Sequence, residues 1–321
     1  MVSKDTIRRK LSSCLTDTSS LNLPGGKRGK VRDSYDLGDG ILLITTDRQS
    51  AFDRVLTSVP FKGQVLNQVS AFWFENTLDI VPNHVISIPD PNATLAVKCE
   101  VFPVEFIVRG YLTGSTSTSA WTIYNSGSRN ICGNELPDGM VKNQKFPEPI
   151  ITPTTKSEVH DESVTPEEII TQGLMTAEEW EMASDIVMKL FRRGVKIAAE
   201  NGLILVDTKY ELGKDENGDI ILIDEIHTPD SSRYWISGSY DERFQSSQEP
   251  ENIDKEFLRL WFRDNCDPYN DEELPAAPDD LVVELSSRYI KLYEMITGKD
   301  FEPAPGGDPV ERLRENLKGI Y

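Results

Sequence analysis

Short apolar runs of strand type alternate with segments of helical spacing, two helix starts carry capping boxes, and one Asn-Gly turn joins two apolar runs. Together these predict a mixed α/β (α+β) protein. The pattern does not by itself separate one α+β fold from another. The length, 321 residues, corresponds to two domains or one large domain with lobes. Such a chain can bury a core without disulfides or a structural metal.

Residues 1–23 read as a short amphipathic helix and a polar link. Residues 24–60 read as strand, turn, strand: Val31 to Leu37 leads into Gly38-Asp39-Gly40 and then the apolar run Ile41-Leu42-Leu43-Ile44. Between 64 and 78, Val65, Leu66, Val69, Phe72, Trp73 and Leu78 recur near helical spacing. Val101 to Val108 is β-rich and ends at Arg109-Gly110. Residues 113–155, rich in Ser, Thr, Gly, Asn and Pro, form an ordered excursion with little regular structure. Thr165-Pro166-Glu167-Glu168 and Thr176-Ala177-Glu178-Glu179 are capping boxes. The second opens the longest helix, with its stripe at Trp180, Ala183, Val187, Leu190, Phe191 and Ile197 and its stop at Asn201-Gly202. Asp254 is expected to cap a helix through about Arg263, and another runs from about Asp280 to Ile296, with Gly298 beyond it. Glu302 to Gly307 reads as a linker before a charged, frayed helix.

Fifty-three acidic against 34 basic residues give a net charge of −19. That argues against nucleic acid or an anionic membrane as partner. No apolar run approaches the roughly 18 residues of a membrane span. The cysteines, Cys14, Cys99, Cys132 and Cys266, have neither metal-ligand nor C-x-x-C spacing and read as reduced thiols. Arg8, Arg9 and Lys10 are not followed by a signal-peptide core, and Asp5 and Asp17 weaken a transit peptide, so the expected compartment is cytoplasmic. His84, His160 and His227 are far apart in sequence, and no G-x-S-x-G elbow occurs. Gly25-Gly26-Lys27-Arg28-Gly29-Lys30-Val31 fails the Walker A spacing, yet it remains a basic, glycine-rich turn open to a phosphate.

The most informative segment is Leu203 to Asp230. Two strands, Ile204 to Leu212 and Ile220 to Ile226, flank Gly213 to Asp219 and its Asn217-Gly218 signal. The acidic turn does not fit an EF-hand. Alternation places Asp207, Lys209 and Glu211 on one face. A two-residue turn centred on Asn217-Gly218 pairs Glu211 with Asp224. Carboxylates directly opposite repel, and a divalent cation between them converts that cost into a site suited to Mg²⁺ and phosphates. A solvated strand face is the competing reading, but Asp224 interrupts the apolar run Ile220 to Ile223. The register is decisive, because a one-residue slip moves Asp224 to the other face.

Two further clusters stand out. Arg109 ends a strand and is followed by Thr113-Gly114-Ser115, an arrangement able to bind an anion or simply to hold a surface ion pair. Thr228-Pro229-Asp230-Ser231-Ser232-Arg233 follows the hairpin and could equally be an ordinary turn. Asp47 to Asp53 and Thr152 to Lys156 are polar islands that read as loops.

Phe102 to Arg109 with Thr113-Gly114-Ser115, and Leu205 to Gly213, resemble the two signatures of the SAICAR synthetase (phosphoribosylaminoimidazole-succinocarboxamide synthase) family. Leu212 stands where the second usually has Phe; it lies opposite the charged face, so the change concerns packing. Gly29 to Tyr35, Asp47 to Asp53, Lys156 to Asp161 and Asp224 to Arg233 resemble further family blocks in the same order. The resemblance covers about residues 24–301, with the 113–155 excursion matching the longer form. It implies a SAICAR synthase-like fold: an antiparallel β-rich nucleotide lobe (24–108) and a second α/β lobe with the acidic hairpin (109–301), in an ATP-grasp or kinase-like arrangement. Residues 1–23 and 302–321 are an extension and a tail. The implied reaction ligates L-aspartate to carboxyaminoimidazole ribonucleotide (CAIR) using ATP and Mg²⁺. The resemblance implies Lys156, Lys209 and Asp224 as catalytic. ATP would be held by Lys30, Val31, Arg32, Lys98, Val104, Lys156, Glu211 and Asp224. CAIR would be held by Asp53, Arg109, Ser115, Lys209, Asp230 and Arg233, and Mg²⁺ by Asp207 and Asp224. The expected protein is a monomer whose partners are small molecules. Another Mg-ATP-dependent small-molecule kinase or ligase on the same scaffold is the alternative.

Overall fold

The computed structural model describes residues 2–52, 54–116, 118–156, 162–253 and 255–320. Two antiparallel sheets organise it. The first has five strands in the order Gly26–Arg28, Arg32–Asp36, Ile41–Thr45, Ala93–Ala96, Val85–Asp90. The second is built around Glu100–Leu112 and Leu203–Lys214, which pair with each other along most of their length. Gln144–Ile151 and Thr154–Thr155 pair with the former, and Ile220–Ile223 and Ser232–Ile236 with the latter. The backbone joins the sheets at residues 82–84: Leu222 donates to the Pro82 carbonyl, and His84 to that of Leu222. This contact brings the mouth of the acidic hairpin beside the first sheet.

Helices seal the other faces. Ala177–Glu200 starts at the capping box of Thr176 and Glu179, as its sequence predicts, and buries Ala183, Val187, Leu190 and Phe191 against the second sheet. The Thr165–Glu168 box likewise caps Pro166–Thr171. Lys62–Glu75 packs against Asp279–Thr297, which ends at Gly298 in the left-handed conformation. The first of these ends short of Leu78, which is exposed. The helix expected from Asp254 spans Glu256–Asn265; Asp254 itself lies outside the described residues.

Two regions carry more structure than their composition suggested. The excursion at 113–155 contains a short helix (Ala120–Asn125) and a full strand of the second sheet. It also has a small core of its own, in which Tyr124, Ile131, Met140 and Phe146 are buried. The charged tail forms the helix Pro309–Asn316 and does not fray. Leu313 and Leu317, one helical turn apart, bury themselves against Leu15, Leu21, Tyr35 and Leu42, and Arg312 pairs with Asp90 at 2.9 Å. Residues 15–23 and the tail helix therefore both pack on the first sheet, while the amino-terminal helix Lys4–Arg8 packs against Asp279–Thr297.

Candidate active site

The acidic hairpin is one residue out of the expected register. Its loop has five residues, because the Asp215 carboxylate accepts from the backbone of Asn217 (2.9 Å) and Asp219 (3.0 Å) and closes a wider turn. Glu211 consequently faces Ile223. A straight continuation would carry Asp224 to the opposite face. Instead the chain leaves the strand there with Asp224 in the left-handed region (φ 66°), a conformation Asp tolerates better than most residues. The kink brings its carboxylate back to the side of Glu211. Lys209 Nζ donates to Asp224 Oδ2 at 2.9 Å and also bonds Glu211.

Lys209 is the hub of this group. Besides these two carboxylates it lies 3.6 Å from Glu105, which is directly across the strand pair from Glu211. Burial alone would lower the Lys209 ammonium, but the charges of Asp224, Glu211 and Glu105 outweigh it and hold it well above the usual lysine range. Burial would likewise raise the Asp224 carboxyl, yet Lys209 and Arg32 hold it well below its ordinary value. Arg32 pairs with Asp224 and lies 3.9 Å from Glu225. Lys156 bonds the other oxygen of Glu211. Lys209, Lys156 and Arg32 thus meet Glu105, Glu211, Asp224 and Glu225 at one end of the strand pair.

Arg32 opens a strand directly after the glycine-rich turn. A Cβ on Gly29 would stand 2.5 Å from the Arg32 carbonyl oxygen, so the turn is tight enough to need glycine there. Lys30 is exposed at its tip and Val31 is half-buried. Lys98 pairs at the surface with Asp36 (2.6 Å), and Val104 is fully buried in the main core.

The other end of the strand pair is an arginine clamp. Asp207 lies between Arg109 and Arg233 on the two flanking strands, with its Oδ2 3.6 Å from an Nη1 of each. That oxygen is buried and has no hydrogen-bond donor. Arg109 Nε also donates to Thr152 Oγ1 at 2.8 Å. Asp207 therefore contacts both arginines. Ser115 Oγ donates to Glu256 Oε1 at 2.8 Å. Asp230 points inward, 2.7 Å from Lys62 Nζ, 3.5 Å from Lys255 Nζ and 2.7 Å from the Tyr289 hydroxyl. A cleft of about 150 Å³ lies over Asp207, Asp230 and Arg233, and shares Glu256 and Arg259 with a cavity of about 530 Å³ reaching Ser115 and Tyr269. Asp53 and residues 157–161 lie outside the described residues.

Sequence reasoning missed Glu105, Glu225, Lys62, Lys255 and Arg259. Lys255 and Arg259 stand four apart at a helix start, a spacing that puts two cations on one face and was readable. Lys62 gave no such signal, because its burial beside Asp230 arises only in the folded chain.

His227, also unassigned, anchors the segment between Asp224 and Asp230. Its ring lies edge-on to Trp73 (4.5 Å), with Nε2 at 2.5 Å from the Tyr210 hydroxyl, and its carbonyl accepts from Tyr234 (2.9 Å). Burial pushes the imidazole down to about 3. Below its ordinary value near 6.5, the unfolded chain binds a proton that the folded chain refuses, so stability rises with pH between the two values. We expect wild-type stability to climb more steeply than that of His227→Gln by ~1.4 kcal/mol per pH unit between about pH 4.5 and 6. Asp47, which burial raises to about 6, acts in the opposite sense but is common to both proteins. Urea unfolding across that range gives the difference, and parallel slopes would show that His227 is not held neutral.

The family model of SAICAR synthetase matches residues 26–275. The chain belongs to the SAICAR synthetase family. A phosphoribosylaminoimidazole-succinocarboxamide synthase from Legionella pneumophila (strain Lens) is 59% identical over 308 residues, covering 95% of this chain and 98% of that protein. A chloroplastic one from Arabidopsis thaliana is 59% identical over 97% of this chain and 77% of its own length. Among solved structures, the SAICAR-synthase from Saccharomyces cerevisiae in complex with SAICAR superposes with a TM-score of 0.76 at 34% identity, covering 90% of this chain and 99% of that one. A SAICAR synthetase in complex with ADP gives 0.66 at 25%, covering 86% and 99%. The fold is the mixed α/β arrangement of SAICAR synthases, and the activity is that of a carbon–nitrogen ligase of purine biosynthesis. Leu212 is fully buried in the core, so the signature's departure from Phe is one of packing. No helix among the described residues is long and apolar enough to cross a membrane.

Proposed function

We propose that the two ends of the Glu100–Leu112/Leu203–Lys214 strand pair divide the substrates between them, ATP at the Lys209–Glu211–Asp224 end and CAIR at the Arg109–Arg233 end. The observation that carries this is the single polar ridge on one strand: Asp207 contacts two arginines and Glu211 contacts two lysines, with Lys209 between them. ATP phosphates would lie against Lys30, Val31, Arg32 and Lys156, with the adenosine toward Lys98 and the strand of Val104. CAIR would be gripped by Arg109, Arg233 and Ser115, with Asp230 beside them; Asp53, outside the described residues, is assigned to CAIR from the family resemblance alone. We assign Lys209 to the junction, where a cation neutralises the phosphoryl group in transit.

Oxygen-only donors on a rigid hairpin suit Mg²⁺. Among the described residues no three carboxylates converge on one point, so Asp224, with Asp207 further along the ridge, would supply the protein's share of the shell and phosphate oxygens the rest, while Asp207 also orients the arginine clamp. Bound Mg²⁺ would supply charge neutralisation on the phosphate oxygens. In the reaction the CAIR carboxylate takes the γ-phosphoryl group as its bond to ADP breaks; the aspartate amine then forms the new C–N bond and gives up a proton to solvent, and phosphate leaves with the C–O bond electrons. Because every step acts on anions, the side chains serve mainly to position and neutralise.

Four free cysteines support a reducing compartment, which we take to be the cytosol, and we take the chain to act as a monomer. The test is substrate dependence. ADP should form rapidly only with both CAIR and L-aspartate present. Equal ADP formation when a hydroxyl acceptor replaces CAIR would favour a small-molecule kinase and overturn the reading.

A further inference from the structure

Asp47 to Asp53 reads in the sequence as a polar loop, and residues 1–23 as an extension outside the family match. The structure ties both to the glycine-rich turn. Arg48 is only 2% exposed. Its Nε donates to the Lys30 carbonyl (3.2 Å), and its Nη1 to the Thr16 carbonyl (2.8 Å) and Asp33 Oδ2 (3.3 Å). Its Nη2 donates to the Gly29 carbonyl (2.9 Å) and Asp33 Oδ1 (2.5 Å). A guanidinium has five N–H donors, so all of them are engaged. Thr46 adds two bonds to the Val31 carbonyl, from its N–H at 3.0 Å and its hydroxyl at 2.5 Å. Three successive carbonyls of the turn are thus drawn inward onto one buried strand start.

The amino-terminal segment completes this brace. Thr18 Oγ1 donates to Asp33 Oδ2 at 2.5 Å and lies 2.7 Å from the Tyr35 hydroxyl. The Leu15 N–H donates to Asp47 at 2.7 Å, and the same carboxylate receives the Gly63 N–H at 2.9 Å. Residues 15–18 precede the family-model match, which begins at residue 26.

We propose that Arg48, together with residues 15–18, is a positioning element of the nucleotide site, holding Gly29 to Val31 in the shape that receives the ATP phosphates. The inference rests on the reading of Lys30, Val31 and Arg32 as the phosphate-holding turn. A glycine-rich turn that orders only on binding loses affinity to that ordering, and one ordered in advance does not. Lysine at position 48 keeps the charge but cannot reach five acceptors in a plane, so it leaves turn carbonyls unpaired and the turn loose. Arg32, the next residue along, loses its fixed approach to Asp224 as well.

The experiment compares Arg48→Lys, Thr18→Val, Lys30→Ala and the Arg48→Lys/Lys30→Ala double variant in the full chain. KM is measured for ATP, CAIR and aspartate, with ADP binding by calorimetry and melting of each protein. We expect KM for ATP to rise about tenfold in Arg48→Lys and about threefold in Thr18→Val, ADP affinity to fall in parallel, and the other KM values to stay within about twofold. In the double variant the separate effects of Arg48→Lys and Lys30→Ala on KM for ATP should combine to less than their product, because both act through one turn. A merely structural role would lower the melting temperature or kcat and leave KM for ATP unchanged, and that result overturns the proposal. Should Arg48→Lys not fold, Thr18→Val carries the same test. Failure of Lys30→Ala to raise KM for ATP would instead locate the error in the phosphate-turn reading.

Discussion

Asn at position 224 is expected to reduce turnover by at least about 10³-fold while leaving the protein folded. The side chain keeps its shape and loses its charge. It also turns an NH₂ group toward Lys209 or Arg32, where the structure requires an acceptor. Breaking a well-buried ion pair costs ~3–5 kcal/mol. Asp224 retains 23% exposure, and both cations keep other carboxylates, Lys209 those of Glu211 and Glu105 and Arg32 that of Glu225. We therefore expect a smaller stability loss, about 1–3 kcal/mol. The function lost is specific, because Asp224 is the carboxylate that the left-handed kink returns to the Lys209–Glu211 end of the ridge, the proposed ATP end. Mg²⁺-dependent ADP binding should weaken, and CAIR binding should hold. Steady-state kinetics with melting curves separates the two effects. An Asn variant that turns over normally would mean that the acidic hairpin is only a solvated face.

The path to Asp224 shows what the sequence could and could not tell. The two strands were legible because alternation and the Asn-Gly signal are local. The register was not, because Asp215 closes a five-residue loop with its own carboxylate, a choice that competes closely with a two-residue turn. Glu211 and Asp224 come together nonetheless, through backbone conformation rather than cross-strand pairing. Capped helices were legible for the same local reason, since the reciprocal bonds of Thr176 and Glu179 lie within three residues of sequence. The tail helix was misjudged because its charges are local and its burial is not; two leucines one turn apart suffice once the first sheet offers Leu15 and Tyr35 as a floor. Buried charges were the least legible. Arg48, Lys62 and Glu225 look like surface residues until the fold supplies Asp33, Asp230 and Arg32.

The charge balance also looks different in three dimensions. With a net charge of −19 and anionic substrates, the sequence calls for a local basic pocket of Lys30, Lys98, Arg109, Lys156, Lys209 and Arg233, aided by Mg²⁺, within an acidic surface. In the structure such cations already hold carboxylates: Lys98 holds Asp36, Arg109 and Arg233 hold Asp207, and Lys156 and Lys209 hold Glu211. At the proposed site incoming anions would compete with these resident carboxylates, which lowers affinity for any single anion but keeps the cations placed.

Arg109→Lys tests this directly at the arginine clamp, the proposed CAIR end. Arginine there holds two partners at once, Thr152 Oγ1 through Nε and Asp207 through Nη1. A lysine ammonium can reach one of them and offers no planar fork to a phosphate or carboxylate. Asp207 keeps Arg233, so its buried charge is not left unpaired and the fold should survive. We expect kcat/KM for CAIR to fall about 10²-fold, or ~2.7 kcal/mol, with KM for ATP within about twofold of wild type. The asymmetry follows from the ridge, because nothing in the Lys209–Glu211–Asp224 group contacts Arg109. Should both substrates lose affinity equally, Arg109 would be bracing the strand pair as a whole, and the division of the substrates between its two ends would have to be abandoned.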